Sequence, residues 1–208
     1  MAYAPILFDL DGTLVDSVVD LATAVNLLRG ELYLPPLTIP VVRACVGDGA
    51  TMLVRRALGD DLFTPARMQR FLTLYGEHIA EATTLYPGIQ ACLDLLVDRP
   101  LAIVTNKPYQ QTMDLLDALQ LTRYFPVVIG GDTCPMKKPD PTPLKVALHR
   151  LNATAATAIM IGDHHTDLIA GRAAGIDVCF CTWGFGEAGE YIPTHRVNNA
   201  AELLQVLR

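Results

Sequence analysis

The sequence predicts a doubly wound α/β fold, a Rossmann-like core with a parallel sheet, carrying an inserted all-helical cap domain. Three observations predict it. Short apolar runs at residues 5–8, 101–104, 127–129, 158–161 and 178–181 alternate with segments of helical spacing. Each run is nearly continuous in apolar character, as strands covered on both faces of a parallel sheet must be. Roughly ninety residues separate the first run from the second, far more than one crossover needs.

Residues 5–8 form the first strand, which ends abruptly at Asp9. The stretch 17–82 is punctuated by Pro35, Pro36, Pro40 and the Gly59-Asp60-Asp61 cluster, and it reads as helices over 18–32, 40–58 and 65–80. A helical lid hinged near Asp16 and Tyr86 is the simplest account. Residues 1–15 and 84–208 then form the core domain, and 16–83 the cap domain. After Pro87-Gly88, Ile89, Cys92, Leu93 and Leu96 make one helical stripe, and Met113, Leu116 and Leu119 make the next. Helices are also expected over 141–151, 166–174 and 200–207.

Composition narrows the class. The chain is 51% hydrophobic and 18% charged, which suits a buried core and excludes a disordered chain. A net charge of −6 argues against a nucleic-acid partner. No apolar run reaches the ~20 residues that cross a bilayer. The amino terminus lacks a basic segment followed by an apolar one, so no secretory leader is expected. Cys45, Cys92, Cys134, Cys179 and Cys181 show no CxxC spacing and read as reduced thiols of a cytoplasmic protein. Of the lysines, Lys107, Lys137 and Lys138 all follow expected strands. In an acidic chain that suggests a local anion site, although loops also carry lysine for solubility alone.

Ligands of open α/β sheets sit outside the carboxyl ends of the strands, where Asp9 and Asp11 fall. Asp9, Asp11 and Thr13 form an alternating row of oxygen-bearing side chains, and Gly12 lets the chain turn between them. Two carboxylates this close repel unless a cation or proton lies between them. Hard oxygen ligands favour Mg²⁺, which also takes phosphate into its shell. A calcium-binding EF-hand would need Gly where Leu14 stands and Glu where Asp20 stands. Three further loops converge on the same edge: Thr105-Asn106-Lys107, Lys137-Lys138-Pro139-Asp140-Pro141, and Gly162-Asp163-His164-His165-Thr166-Asp167. Singly they are ordinary, since Thr105 and Asp163 would serve as helix caps and Lys138 as a surface charge. Together they bring acids, a hydroxyl and a cation to one edge.

These segments, in this order, resemble the four motifs of the haloacid dehalogenase-like phosphatases. The resemblance spans nearly the whole chain, with the insert where that superfamily's first type of cap sits. The stretch from Gly47, Asp48 and Gly49 to Arg56, with Gly130-Gly131-Asp132, looks most like the bacterial phosphoglycolate phosphatase branch. The resemblance implies a Mg²⁺-dependent phosphomonoester hydrolase that works through an aspartyl-phosphate. It implies that Asp9 attacks the phosphorus and Asp11 acts as acid, then base. It gives Thr105 and Asn106 the phosphoryl oxygens to bind, and Lys138 their charge to neutralise. The ion would be held by Asp9, Asp11 (through its backbone carbonyl) and Asp163, with Asp167 beside them. In the cap, Gly47, Asp48, Gly49 and Arg56, or else Arg43, are the implied contacts to the carboxylate of a substrate such as 2-phosphoglycolate.

The expected partner is a small phosphorylated metabolite, with no nucleic acid and no membrane, and the expected state a monomer or homodimer. A sugar-phosphate phosphatase, a nucleotidase and a phosphomutase stay open within the superfamily. Against a non-catalytic binding protein stand the intact Asp9, Asp11, Thr105, Lys138 and Asp163. One position departs from the pattern: His164 stands where the fourth motif has Ser or Thr. Its neighbour His165 is not expected to share an ion with it. Gly184, Gly186 and Gly189 match the spacing of a dinucleotide loop, but too little chain follows for the rest of that unit. A flexible loop beside the site is expected there instead.

Overall fold

The computed structural model of the chain describes residues 3–208. The chain opens with β1 (Ile6–Phe8) and the short β2 (Val15–Asp16). It then runs through α1 (Val18–Glu31), α2 (Ile39–Arg43), α3 (Ala50–Leu58) and α4 (Pro65–Glu77), and returns in β3 (Thr84–Leu85). Helices and strands alternate from there: α5 (Ile89–Leu95), β4 (Leu101–Val104), α6 (Tyr109–Ala118), β5 (Val127–Ile129), α7 (Thr142–Arg150) and β6 (Ile159–Gly162). They are followed by α8 (His165–Ala174), β7 (Asp177–Cys181), β8 (His195–Val197) and α9 (Ala200–Leu207).

The main sheet has the order β5-β4-β1-β6-β7-β8, and every neighbouring pair is parallel. The chain moves from β1 to one side of the sheet and later crosses to the other, so the topological switch point is at β1. Phe8 lies level with Ile103 on one flank and Ile161 on the other. The chain therefore leaves the sheet at three adjacent points on one edge, where a ligand site is expected.

Alternation in β1 assigns the two faces. Ile6 and Phe8 point into a core shared with Leu93, Leu116 and Leu203 of α5, α6 and α9. Leu7 points the other way, towards Leu144 and Leu148 of α7 and Leu168 of α8. All three strand residues are 0% exposed. Each contributes about 1.5–3 kcal/mol by burial, which makes β1 a rigid base for the loop at its carboxyl end.

Helices α1–α4 build a separate core from Leu21, Val25, Leu28, Val42, Leu53, Val54, Phe71 and Leu74. This insert leaves and re-enters the core through an antiparallel ribbon that pairs Val15 with Leu85 and Asp16 with Thr84, where hinges were expected. Asp20, in the first turn of α1, ties the ribbon down. Its buried carboxylate accepts bonds from the amides of Ala82 and Thr83 and from the Thr83 hydroxyl.

Two expectations need correction. The single helix over 40–58 is two, α2 and α3, because Gly47 and Gly49 lie between them at φ +117° and +86°, outside any right-handed helix. The sheet also has a sixth strand, β8, beyond the five apolar runs. It is a short edge strand with Arg196 at its centre, so it carries no apolar run to announce it.

Candidate active site

The loop leaving β1 is wound about the Leu10 carbonyl, which accepts bonds from the amides of Thr13, Leu14 and Val15. Buried Leu10 and Leu14 anchor it, so the side chains of Asp9 and Asp11 are left at the edge. Gly12 sits at φ +86°, and a Cβ there would lie 2.3 Å from Asp163 Oδ2. No larger residue fits. Thr13 donates to Asp163 Oδ1 at 2.8 Å, which couples the first loop to the one after β6.

The acids gather around one lysine. Lys138, 1% exposed, lies 3.1 Å from Asp9 Oδ1 and donates to Asp167 Oδ1 and the Val104 carbonyl, both at 2.6 Å. Asp163 Oδ2 accepts the Phe185 and Gly186 amides at 2.8 and 3.1 Å. The glycine-rich loop at 184–189 thus serves the acid cluster through its backbone, beside the site. Carboxylate oxygens of Asp9, Asp163 and Asp167 all lie within 4.8 Å of one another, and all three residues are buried.

Three acids against one lysine leave negative charge in a buried space. Burial, and then Asp167, push Asp9 up to about 6 against the pull of Lys138. Burial raises Asp163 to about 7, with repulsion from Asp9 and Asp167 adding to it. Such a cluster is completed by a cation, and an all-oxygen donor set fits a hard divalent ion.

Asp11 occupies a different environment. It accepts from Ser17 Oγ at 2.5 Å and from Lys107 Nζ at 3.0 and 3.1 Å. Lys107 also donates to Tyr75 Oη at 2.8 Å, reaching from the loop after β4 to helix α4 of the insert. Thr105 is buried beside Asp9, and its hydroxyl accepts the Lys107 amide at 3.2 Å. Asn106 joins insert to core, donating to the Gly47 carbonyl at 3.1 Å and the Lys138 carbonyl at 2.9 Å. A cavity of about 50 Å³ lies between, lined by Asp9, Asp11, Thr105, Lys107, Gly47 and Tyr75 among others.

The structure brings Asp9, Asp11, Thr105, Asn106, Lys138, Asp163 and Asp167 to the same sheet edge, and Gly47 and Gly49 to the cavity wall. It leaves the other cap residues aside. Asp48 pairs with Arg56, which also donates to the Cys45 carbonyl. Arg43 donates to the Gly184 carbonyl at 2.7 Å and lies over the Phe185 ring. Neither arginine lines the cavity.

His164 replaces the usual hydroxyl residue without loss of the cap on α8: its side chain accepts the Thr166 amide, and Asp167 accepts its own amide. Unlike the expectation for adjacent histidines, ligand atoms of His164, His165 and Asp48 come within 4.8 Å of one another. His164 caps the helix while His165 begins it, so the two rings turn to the same side, their centroids 4.1 Å apart. Burial, and next the neighbouring His165, lower His164 to about 4. Tyr75 and Ser17 join the site with no local signal in the sequence to mark them. Tyr75 sits within an apolar helical stripe, and Ser17 at an ordinary helix start.

A switch-point site in which Asp9 and Asp11 line a half-open cavity, with Lys138, Asp163 and Asp167 behind Asp9, fits a phosphatase of the haloacid dehalogenase type. The family model described as haloacid dehalogenase-like hydrolase matches residues 6–181, and the chain belongs to that family. It is similar to a phosphoglycolate phosphatase of Chromobacterium violaceum, 39% identical over 210 residues that cover 97% of this chain and 95% of that protein. A phosphoglycolate phosphatase of Pseudomonas fluorescens is 38% identical over 96% of this chain and 78% of its own length. Among solved structures, a predicted phosphoglycolate phosphatase from Haemophilus somnus 129PT matches with TM-score 0.90 and 28% identity, covering 99% of this chain and 98% of that one.

Proposed function

We propose that this phosphatase acts on a small phosphomonoester with a carboxylated leaving group, 2-phosphoglycolate foremost, and uses Mg²⁺ at the Asp9, Asp163 and Asp167 cluster. One observation carries the reading. Asp9, backed by Lys138, Asp163 and Asp167, lines with the separate acid Asp11 a half-open cavity of about 50 Å³ under the insert. A site covered by a helical insert suits a small ester better than a bulky phosphorylated macromolecule. The names of the similar proteins support the same substrate.

In this reading Asp9 attacks the phosphorus, and the bond to the ester oxygen breaks to leave an aspartyl-phosphate. Asp11 gives its proton to the departing oxygen. It then takes a proton from the water that attacks the aspartyl-phosphate, which restores Asp9 and frees inorganic phosphate. Lys138, held by Asp167, offsets charge on Asp9 and on the phosphoryl group. The Thr105 hydroxyl and Asn106 contact the phosphoryl oxygens. Side chains of Asp9 and Asp163 and the Asp11 carbonyl would hold the ion, with Asp167 reaching it through water. When bound, Mg²⁺ supplies positive charge to the acid cluster and the phosphoryl oxygens.

The insert, residues 16–83, acts as the cap domain over a core of 1–15 and 84–208, and its closure keeps bulk water and large substrates away. The free cysteines Cys45, Cys92, Cys134, Cys179 and Cys181 support a reducing cytoplasm. Among the described residues no helix is long and apolar enough to cross a membrane.

The test is phosphate release from 2-phosphoglycolate, sugar phosphates and nucleoside monophosphates, with Mg²⁺ or with chelator. Release that needs Mg²⁺ and is most efficient for 2-phosphoglycolate is expected. Release indifferent to chelator, or most efficient for a sugar phosphate, refutes the reading.

A further inference from the structure

Among the described residues that line the cavity, Lys107 is the one cation. The cap arginines are spent elsewhere, on Asp48 and on the Gly184 carbonyl. Lys107 is 7% exposed, a position in which an ammonium is retained only for its partners. An ammonium has three hydrogens to donate. Its partners are the Asp11 carboxylate, at 3.0 and 3.1 Å, and Tyr75 Oη, at 2.8 Å. Those three bonds, two of them to Asp11, take up its three hydrogens, so an incoming anion shares the ammonium with Asp11. Tyr75 accepts the Lys107 bond, and its own hydroxyl hydrogen meets no acceptor among the described residues. The cavity's cation and a hydroxyl hydrogen with no acceptor thus stand side by side in a wall whose other members include Leu21, Leu53, Phe71 and Leu72.

We propose that Lys107 and Tyr75 form the subsite that recognises a carboxylate on the leaving group. This rests on the phosphatase reading above and adds the residues that select the substrate. A carboxylate offers two oxygens to two such donors, and charge-assisted bonds are the strong ones in apolar surroundings. The position also sets the spacing. Lys107 is bonded to Asp11, the acid that serves the ester oxygen, so the anion it binds lies about one carbon from that oxygen. Substrates of this class are phosphate esters of 2-hydroxy acids. Lys107 belongs to the core and Tyr75 to the insert, so the subsite is complete only while the two are closed together. The carboxylate itself then holds the cap down.

The test compares kcat/KM for 2-phosphoglycolate and ethyl phosphate, which has the same carbon chain and no carboxylate, in the Mg²⁺-loaded wild type and in Lys107→Met, Lys107→Arg and Tyr75→Phe. The wild type should prefer the carboxylated ester at least about 100-fold, since donors built for an absent partner reject the analogue. Lys107→Met also disturbs Asp11 and slows both esters, so the selectivity ratio is the readout, and it should collapse to within about fivefold of unity. Lys107→Arg should restore part of the ratio. Tyr75→Phe, which removes one oxygen and leaves the fold intact, should cut the ratio about tenfold, mainly through KM for 2-phosphoglycolate. An unchanged ratio in Lys107→Met and Tyr75→Phe overturns the proposal, because Lys107 then serves Asp11 alone. A wild type that hydrolyses both esters equally overturns it while the phosphatase reading stands. A wild type that hydrolyses neither removes the phosphatase reading as well.

Discussion

The two sides of the cavity are held by different means. On the sheet side, Asp9, Lys138, Asp163 and Asp167 are fixed by short bonds to one another and to backbone groups of adjacent loops. On the insert side, Leu21, Leu53, Phe71 and Leu72 present hydrocarbon, and Tyr75 adds one hydroxyl. The sheet side is preorganised for charge that develops at phosphorus. The insert side fits a shape and reaches the chemistry through Ser17 on Asp11 and Tyr75 on Lys107. Reaction and selection are thereby separated onto two bodies joined by the ribbon that Asp20 ties down.

That separation can be broken at several points. Asp9→Asn removes the nucleophile, so kcat for any phosphomonoester should fall by about 10⁵-fold or more. Asp11→Asn should cost about 10²–10⁴-fold, since a proton donor and acceptor is lost while the nucleophile remains. Both losses are read by steady-state phosphate release, and they should be similar for carboxylated and plain esters. Asp20→Ala strands the buried amide and hydroxyl of Thr83, and denaturant melts should show a loss of about 2 kcal/mol.

Metal and pH sharpen the comparison, because only the sheet side carries uncompensated acids. Asp9 at about 6 and Asp163 at about 7 both lie above their ordinary value of 3.8. In the metal-free protein, the stability this protonation lends is full below about pH 4 and lost as pH rises through 6 to 7. A divalent ion held there would need the ionised cluster, so its effect should grow over that same window. At roughly 100 times its Kd, Mg²⁺ should raise Tm by about 5–10 °C at pH 8 and by much less at pH 5. Scanning calorimetry with Mg²⁺ and with chelator checks this. The smallest effect is expected for Arg56→Ala. Its pair with Asp48 is partly exposed and off the cavity wall, so about 0.5 kcal/mol of stability is at stake, with KM nearly unchanged.

The sequence carried the sheet side almost completely. Asp9, Thr105 and Asp163 each stand at the end of an apolar run, and a strand end is a place that spacing alone identifies. The insert side was poorly legible, for physical reasons. Tyr75 looks like a core aromatic until α4 is folded against Lys107. The cap arginines look like ligands until Asp48 and the Gly184 carbonyl are seen to occupy them. Gly47 and Gly49 sit between apolar segments that read as one helix, and their positive φ is a property of the folded loop. A Cβ on Gly47 would lie 2.6 Å from the His164 ring, so this break lets insert and core approach closely. The ribbon and β8 escape a sequence reading because strands of two or three residues carry no periodicity.

The central claim is that the sheet side performs its chemistry through a covalent bond to Asp9. The direct measurement is peptide mass spectrometry of Mg²⁺-loaded enzyme quenched in acid during turnover of 2-phosphoglycolate. The account predicts one added phosphoryl group on the peptide that contains Asp9, lost once the substrate is exhausted and absent in Asp9→Asn. Phosphate release with no adduct at any time point, or an adduct on another residue, would contradict it.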